Sequence, residues 1–341
     1  MVYFSRQLFL FFSLLIVWLP AVAIGIDITA PDFDDRPLAE PVETPDWFFL
    51  SFLDIKEDLG EIKKAGKKGL IVYFGQKRCP YCKAFLENNF NKRDVVYYTR
   101  KNFEIIAIDV RGTRLVTQVD GTVIPENEFA EHLSANFTPS LLFYDLAGNI
   151  ILKLVGYQSP YRFRAALEFV ADAHYQKESF RKYLARGAGA PNEGKATLNT
   201  APFLSPPPYA LDRSRYPAQR PLLVLFEQKN CHSCDVLHAG PFSRRETRNQ
   251  LRAFDVVQLD MWSEAPVITP TGKRTTAREW AERLQLNYAP TLIFYSERGK
   301  EIIRVDSVIY FYRLRGVLDY ILTRGYEHFR GFQEWRRRLN R

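Results

Sequence analysis

The sequence has no cysteine to spare. Its 341 residues hold four, Cys79, Cys82, Cys231 and Cys234, all in two tight pairs. A chain of this length can bury real cores, so a small fold stapled by scattered disulfides is excluded. Dense basic stretches interleaved with aromatics are also missing from the middle of the chain. Lys and Arg outnumber Asp and Glu by 47 to 39, but six arginines against Glu327 and Glu334 fall between Arg324 and Arg341. The excess is a local basic tail, which argues against a nucleic-acid binder. With 46% hydrophobic, 14% aromatic and 25% charged residues, the composition also excludes a disordered, collagenous or multi-span membrane protein.

Cysteine is absent from the N-terminus as well, so a lipid-modified N-terminus is ruled out. Arg6 is the only charge before an apolar stretch, Leu8 to Leu19, followed by Pro20 and Ala21-Val22-Ala23. That order is a secretory leader, residues 1–23, cleaved after Ala23. The alternative is an uncleaved anchor, since Leu8 to Ile26 is just long enough to cross a bilayer. After cleavage no stable membrane span remains, and the mature protein is expected in a periplasm or outside the cell. Paired cysteines can be oxidised there.

The rest of the chain repeats itself. Phe74-Gly75-Gln76-Lys77-Arg78-Cys79-Pro80-Tyr81-Cys82 aligns with Phe226-Glu227-Gln228-Lys229-Asn230-Cys231-His232-Ser233-Cys234 at an offset of 152. Asp109, Phe129, Pro139, Phe143-Tyr144 and Gly148 align with Asp260, Trp280, Pro290, Phe294-Tyr295 and Gly299 at 151. So long a period means duplicated domains. The expected organisation is an extended lead-in (24–45), a first domain (46–186), a Pro/Gly-rich linker (187–221) and a second domain (222–341).

Each copy has one order of elements. In the first, Trp47 to about Lys64 has helical spacing, and Gly69 to Phe74 suits a buried strand. The cysteine pair follows at once, opening a helix that runs through Cys82 to Asn89 with Pro80 at an early position. Glu104–Asp109 and Ser140–Tyr144 are further strands. Asp145–Asn149 turns into Ile150–Leu154, and Arg162 to about Leu184 reads as one long closing helix. The implied fold class is α/β: a mixed sheet covered by helices on both faces, twice.

A C-x-x-C opening a helix after a buried strand has a chemical purpose. Unpaired backbone N–H groups and the positive end of the helix dipole stabilise a thiolate at the first cysteine, and the second is close enough to close a disulfide. Cys79 and Cys231 are therefore the candidate nucleophiles, and Cys82 and Cys234 the resolving partners. Lys77, Arg78 and Lys83 favour a thiolate in the first copy, as do Lys229 and His232 in the second, where Asp235 opposes it.

These features resemble the thioredoxin superfamily over nearly the whole mature chain, twice. That family places a cis-proline opposite the active-site disulfide, at the strand that begins the C-terminal hairpin. Phe137-Thr138-Pro139-Ser140-Leu141 and Tyr288-Ala289-Pro290-Thr291-Leu292 match the pattern. The resemblance implies cis bonds at Pro139 and Pro290, with Thr138 and Ala289 pairing with an extended substrate segment. Val116-Thr117-Gln118-Val119-Asp120-Gly121, with the Phe-Thr-Pro, is similar to SoxW-type periplasmic thioredoxins; Pro80-Tyr81 also occurs in glutaredoxins. Two departures stand out. The family's buried Asp six residues before the nucleophile is Tyr73 and Leu225 here, and its preceding Trp is Arg78 and Asn230.

The resulting expectation is an exported thiol–disulfide oxidoreductase acting on protein thiols and disulfides, served by an upstream electron donor or acceptor and needing no cofactor. Its direction is open, because oxidant, reductant and isomerase share the motif. The alternative is a binding or scaffold protein with little redox turnover. A shared zinc site is disfavoured, because Cys82 and Cys231 are too far apart in sequence for ribbon spacing. His132, His174, His238 and His328 have no evident partners. Tyr73, Tyr97-Tyr98, Phe143-Tyr144 and Phe294-Tyr295 read as core, and Trp335-Arg336-Arg337-Arg338 as a solvated helix end.

Overall fold

A computed structural model describes residues 27–30, 32–187 and 197–339. The expected leader and part of the linker lie outside the described residues.

The first copy runs α1 (Ile55–Lys64), β1 (Gly69–Gly75), α2 (Pro80–Phe90), α3 (Arg93–Asn102), β2 (Phe103–Asp109), β3 (Leu115–Thr117), β4 (Val123–Pro125), α4 (Glu126–His132), β5 (Ser140–Asp145), β6 (Ile150–Val155), α5 (Pro160–Ala171) and α6 (Phe180–Gly187). The second runs β7 (Tyr209–Ala210), β8 (Leu222–Glu227), α7 (His232–Ala239), α8 (Arg245–Leu251), β9 (Asp255–Asp260), β10 (Pro266–Ile268), β11 (Arg274–Thr276), α9 (Ala277–Arg283), β12 (Thr291–Tyr295), β13 (Glu301–Val305), α10 (Phe311–Leu322), α11 (Gly325–His328) and α12 (Phe332–Leu339).

Both copies build a four-stranded sheet of the same topology, β2-β1-β5-β6 and β9-β8-β12-β13. The first pair in each sheet is parallel and the other two are antiparallel. β1 and β8 are central and buried on both faces, which is why they read as unbroken apolar runs. Even backbone exceptions repeat: Arg78 and Asn230, Ser134 and Gln285, and Ala173 and Arg324 all have positive φ.

Four expectations need correction. Trp47 to Asp54 is not helical: Phe49 N–H donates to the Ile105 carbonyl at 2.8 Å, Leu53 is left-handed (φ 65), and α1 starts only after Asp54. The Asp54 side chain accepts from Glu57 N–H, an N-cap that outweighs the preceding aromatic run. The long closing helix is broken. Ala173 is left-handed (φ 55), and α6 folds back so that Phe180 and Tyr183 pack on Phe169. Tyr97 is exposed on α3, whereas Trp335 is buried against Tyr320 and Phe332.

The segments read as lead-in and linker are docked. Ser205 bridges to Val257, and β7 pairs with β10. Ile28 and Asp35 are buried, and Leu38 N–H donates to the Arg78 carbonyl. Gly156 faces Ser307, its own counterpart in the repeat, so a pseudo-two-fold axis passes between the copies. Val155 and Phe137 join the second copy's core, while Val308 and Tyr310 join the first's.

Candidate active site

Cys79 and Cys231 are the N-cap residues of α2 and α7. Their sulfurs accept the N–H of Cys82 (3.0 Å) and Cys234 (3.1 Å), so each first cysteine occupies the position where a helix presents unpaired donors. Each pair is closed as its own disulfide, with Cα atoms 5.2 Å apart. The residue before each pair, Arg78 (φ 63) or Asn230 (φ 53), is left-handed, a strained conformation that turns the chain from strand into helix.

The prolines arrive where expected. Thr138–Pro139 and Ala289–Pro290 are cis. Cys79 Sγ lies 3.6 Å from the Thr138 carbonyl oxygen and 3.2 Å from its Oγ1; Cys231 Sγ lies 3.6 Å from the Ala289 carbonyl oxygen. Each turn is fixed by the hydroxyl after the proline. Ser140 Oγ donates to the Phe137 carbonyl (2.6 Å), and Thr291 Oγ1 to the Tyr288 carbonyl (2.7 Å). The eight residues singled out from the sequence therefore form two groups of four. Cys79 is 4% exposed and Cys231 9%, so both sulfurs are recessed.

The flanking charges contribute less than their sequence positions suggested. Lys77 is exposed, Arg78 Nε donates to the Leu38 carbonyl, Lys83 lies 3.9 Å from Glu87, and Asp235 accepts from Asn199 Nδ2. Tyr73 and Leu225 are buried in apolar surroundings, so no carboxylate stands at those positions.

What encloses the first centre comes from far away in the sequence. Tyr81, between the two cysteines, is buried; its hydroxyl donates to Asp35 Oδ2 and accepts from Tyr310 N–H, both at 2.9 Å. Asp35 also accepts the backbone N–H groups of Tyr312 (2.8 Å) and Arg313 (2.7 Å), capping the N-terminus of α10 with a negative charge. Arg313 lays its guanidinium 3.6 Å over the Tyr81 ring and donates to the Thr138 carbonyl at 2.8 Å. Burial pushes the Tyr81 phenol well above its ordinary range and holds the Arg313 guanidinium below its own.

The second centre is built differently. Tyr288 OH donates to Ser233 Oγ (3.2 Å), and Arg162 lies 4.9 Å over the Tyr288 ring while donating to the Asn287 carbonyl (2.9 Å). A cavity of about 100 Å³ opens here, lined by His232, Ser233, Arg162 and Tyr288 with Ile28 and Tyr310. His238 does have a partner: it lies 3.0 Å from the fully buried Glu227, which also accepts from Gln258 Nε2 (2.6 Å). The first copy has Gly75, Leu86 and Ala107 at those positions.

Sequence reasoning missed Asp35, Tyr81, Arg162 and Arg313. One signal was available: Tyr161-Arg162-Phe163-Arg164 and Tyr312-Arg313-Leu314-Arg315 align at the same offset of 151. Among the described residues no group of three or more His, Cys, Asp or Glu could hold a metal, and no helix is long and apolar enough to cross a membrane.

Comparison with known proteins agrees with the duplication. The model of the thioredoxin-like domain family matches residues 55–171 and 211–322. Among solved structures, a thioredoxin-fold protein from Helicobacter pylori is 21% identical with a TM-score of 0.33, covering 36% of this chain and 86% of its own. A DsbH oxidoreductase is 12% identical (TM-score 0.29; 38% and 91% covered), and a disulphide isomerase from Xylella fastidiosa 17% (0.24; 43% and 96%). No curated protein matches the sequence. The family model covers both cysteine pairs and both cis-prolines, and the chain belongs to the thioredoxin-like domain family, with two such domains in tandem.

Proposed function

We propose that the chain is an exported thiol–disulfide oxidoreductase that exchanges disulfides with protein substrates, with Cys79 and Cys231 as nucleophiles and Cys82 and Cys234 as resolving cysteines. One observation carries the reading. In both copies the first cysteine caps a helix N-terminus, and its sulfur faces the carbonyl before a cis-proline. The helix end favours the thiolate, and the backbone of Thr138 or Ala289 offers an edge for an extended segment.

In the reducing direction the Cys79 thiolate attacks a substrate disulfide. A Cys79–substrate disulfide forms and one substrate thiolate leaves. Cys82, deprotonated, then attacks the Cys79 sulfur, expelling the second substrate thiolate and closing Cys79–Cys82. Two electrons pass from the pair to the substrate, and the two protons of the dithiol end on the substrate thiols. Reversal oxidises a substrate dithiol, and an upstream thiol or disulfide partner resets the pair. The reduction potential against the compartment sets the direction.

The recessed sulfurs favour slender, extended partner segments over bulky ones, and also support the rival reading of a binding protein with little turnover. Insulin reduction and scrambled-ribonuclease refolding decide between them. The enzyme reading expects activity in the wild type, a loss on Cys79→Ser, and a further loss with Cys231→Ser. Equal activity of wild type and double variant overturns it. Cys82→Ser should trap substrates as mixed disulfides.

A further inference from the structure

Arg162 and Arg313 occupy equivalent positions on α5 and α10, and each crosses the pseudo-two-fold axis into the other copy. Their end points differ. Arg162 reaches the Asn287 carbonyl, whereas Arg313 reaches the Thr138 carbonyl, the oxygen that also faces Cys79 Sγ at 3.6 Å. Contacts of 2.8 and 3.6 Å to one oxygen put Arg313 Nη2 no more than about 6.4 Å from the Cys79 sulfur, a range at which an opposite charge is felt.

The cation itself calls for an explanation. Arg313 is 6% exposed, packed over Tyr81 and 5.5 Å from the Phe137 ring. Its Nη1 has no hydrogen-bond partner, and no carboxylate makes an ion pair with it, among the described residues. Asp35 accepts the Arg313 backbone N–H, not its guanidinium. A buried cation without an ion-paired carboxylate is costly, and the nearby acid, Asp35, acts on this one only at longer range. The oxidised pair is neutral. Reduction creates one anion at this spot, the Cys79 thiolate.

Resting on the reading of Cys79 as nucleophile, we propose that Arg313 is the counter-ion of the Cys79 thiolate, a positioning residue through which the second domain sets the reactivity and potential of the first centre. The other charged and titratable groups of the recess are Asp35 on the lead-in, Arg78 and Tyr81 beside the pair, and Tyr312 and Arg336 from the second copy. Asp35 works against the thiolate, and Arg78 and Arg336 work with it. Of the three arginines only Arg313 is both buried and joined to Cys79 through a shared carbonyl.

The test is the pH profile of iodoacetamide alkylation of the reduced full-length chain, read separately for Cys79 and Cys231 by peptide mass spectrometry. Arg313→Met keeps an apolar stem on Tyr81 and removes the charge. It should raise the Cys79 midpoint by about one pH unit and leave Cys231 in place. Arg313→Lys should recover most of the shift, and Arg162→Met should leave Cys79 where it was. A tenfold loss of thiolate stabilisation also lowers the potential of the first pair by about 30 mV. An unmoved Cys79 midpoint in Arg313→Met overturns the proposal, as does an equal shift at Cys231 or a lysine variant that behaves like methionine. Should Arg313→Met not fold, Asp35→Asn takes its place: the Cys79 midpoint should fall, and a rise or no change refutes the electrostatic account. Failure here is separable from failure of the proposed function. A chain that reduces insulin but shows no shift loses only this inference, and an inactive chain with the shift loses only the exchange activity.

Discussion

Removing one oxygen atom from Tyr81 should loosen the joint between the two copies. The Tyr81 hydroxyl donates to Asp35 and accepts from the Tyr310 backbone N–H, each at 2.9 Å, and all three groups are buried. Tyr81→Phe keeps the ring under Arg313, leaves Asp35 with two of its three donors and strands the Tyr310 N–H. A lost hydrogen bond to a carboxylate is worth about 1.5 to 3 kcal/mol, and a buried N–H without an acceptor adds about 1 to 3 kcal/mol before relaxation. We expect a net loss of about 2 to 4 kcal/mol, or about 3 to 6 °C in the unfolding midpoint if both copies melt together. Denaturant unfolding of the oxidised chain measures it, and a double-mutant cycle with Asp35→Asn isolates the shared contact, expected to couple by at least about 1 kcal/mol. A loss under about 0.5 kcal/mol, or strict additivity, would refute the reasoning, because it would mean that water or a local shift satisfies these groups.

Gly156 has φ +78, and a Cβ there would overlap Ser307 Cβ and Oγ. Gly156→Ala should therefore lose at least about 2 kcal/mol, and Ser307→Gly in the same chain should restore part of it, as read by thermal unfolding. Asp58 is pushed up to about 6, chiefly by burial, while Ser51 Oγ donates to its Oδ2 at 2.6 Å. A carboxyl raised in the folded state favours folding fully below its ordinary value near 3.8, and that contribution is lost as the pH rises through about 6. Asp58→Asn should match the wild type near pH 3.5 and exceed it above pH 6.5 by about 1 to 2 kcal/mol, allowing for solvent screening; a pH-independent difference in urea midpoints would contradict this. The two cysteine pairs should also differ in potential. The first, beside Arg313, should be the more oxidising by at least about 30 mV in glutathione buffers read by mass spectrometry, and coincident curves would argue against it.

What the sequence disclosed was local. The strand before each pair, the cysteine at a helix mouth and the late X-Pro are signals spanning a handful of residues, and the duplication let each be checked against its copy. The misreadings have a common cause. Trp47 to Asp54 has helical spacing, yet Phe49 N–H is taken by the Ile105 carbonyl of β2, and Trp47 and Phe48 pack on Phe90 of α2. The break at Ala173 follows from Phe169 packing against the tilted rings of Phe180 and Tyr183, a contact that periodicity cannot announce. Asp35 read as one more acid in a proline-rich lead-in, because its partners Tyr312 and Arg313 are 277 and 278 residues away. Charged residues carry no sign of what they will meet across an interface. Only their recurrence at the repeat offset, as with Arg162 and Arg313, marks them out.

The duplication preserved the backbone and diversified what surrounds each sulfur. Thr138 brings a hydroxyl within 3.2 Å of Cys79, while Ala289 leaves Cys231 with a carbonyl alone. Tyr81 is locked into a buried network through Asp35, whereas its counterpart Ser233 borders a cavity and makes one hydrogen bond to Tyr288. The second copy carries the buried Glu227, His238 and Gln258 where the first has Gly75, Leu86 and Ala107. A pseudo-two-fold interface makes such divergence effective. Because α5 and α10 each begin at the other copy's cis-proline turn, a change in one copy alters the surroundings of the other's cysteine pair. Two independent domains on a flexible tether could not be arranged in this way, since neither would hold a fixed charge beside the other's cysteine pair. The docked lead-in completes the argument. It closes on the first centre through Asp35 and Leu38, so one segment ties the Arg78–Tyr81 stretch to the start of α10.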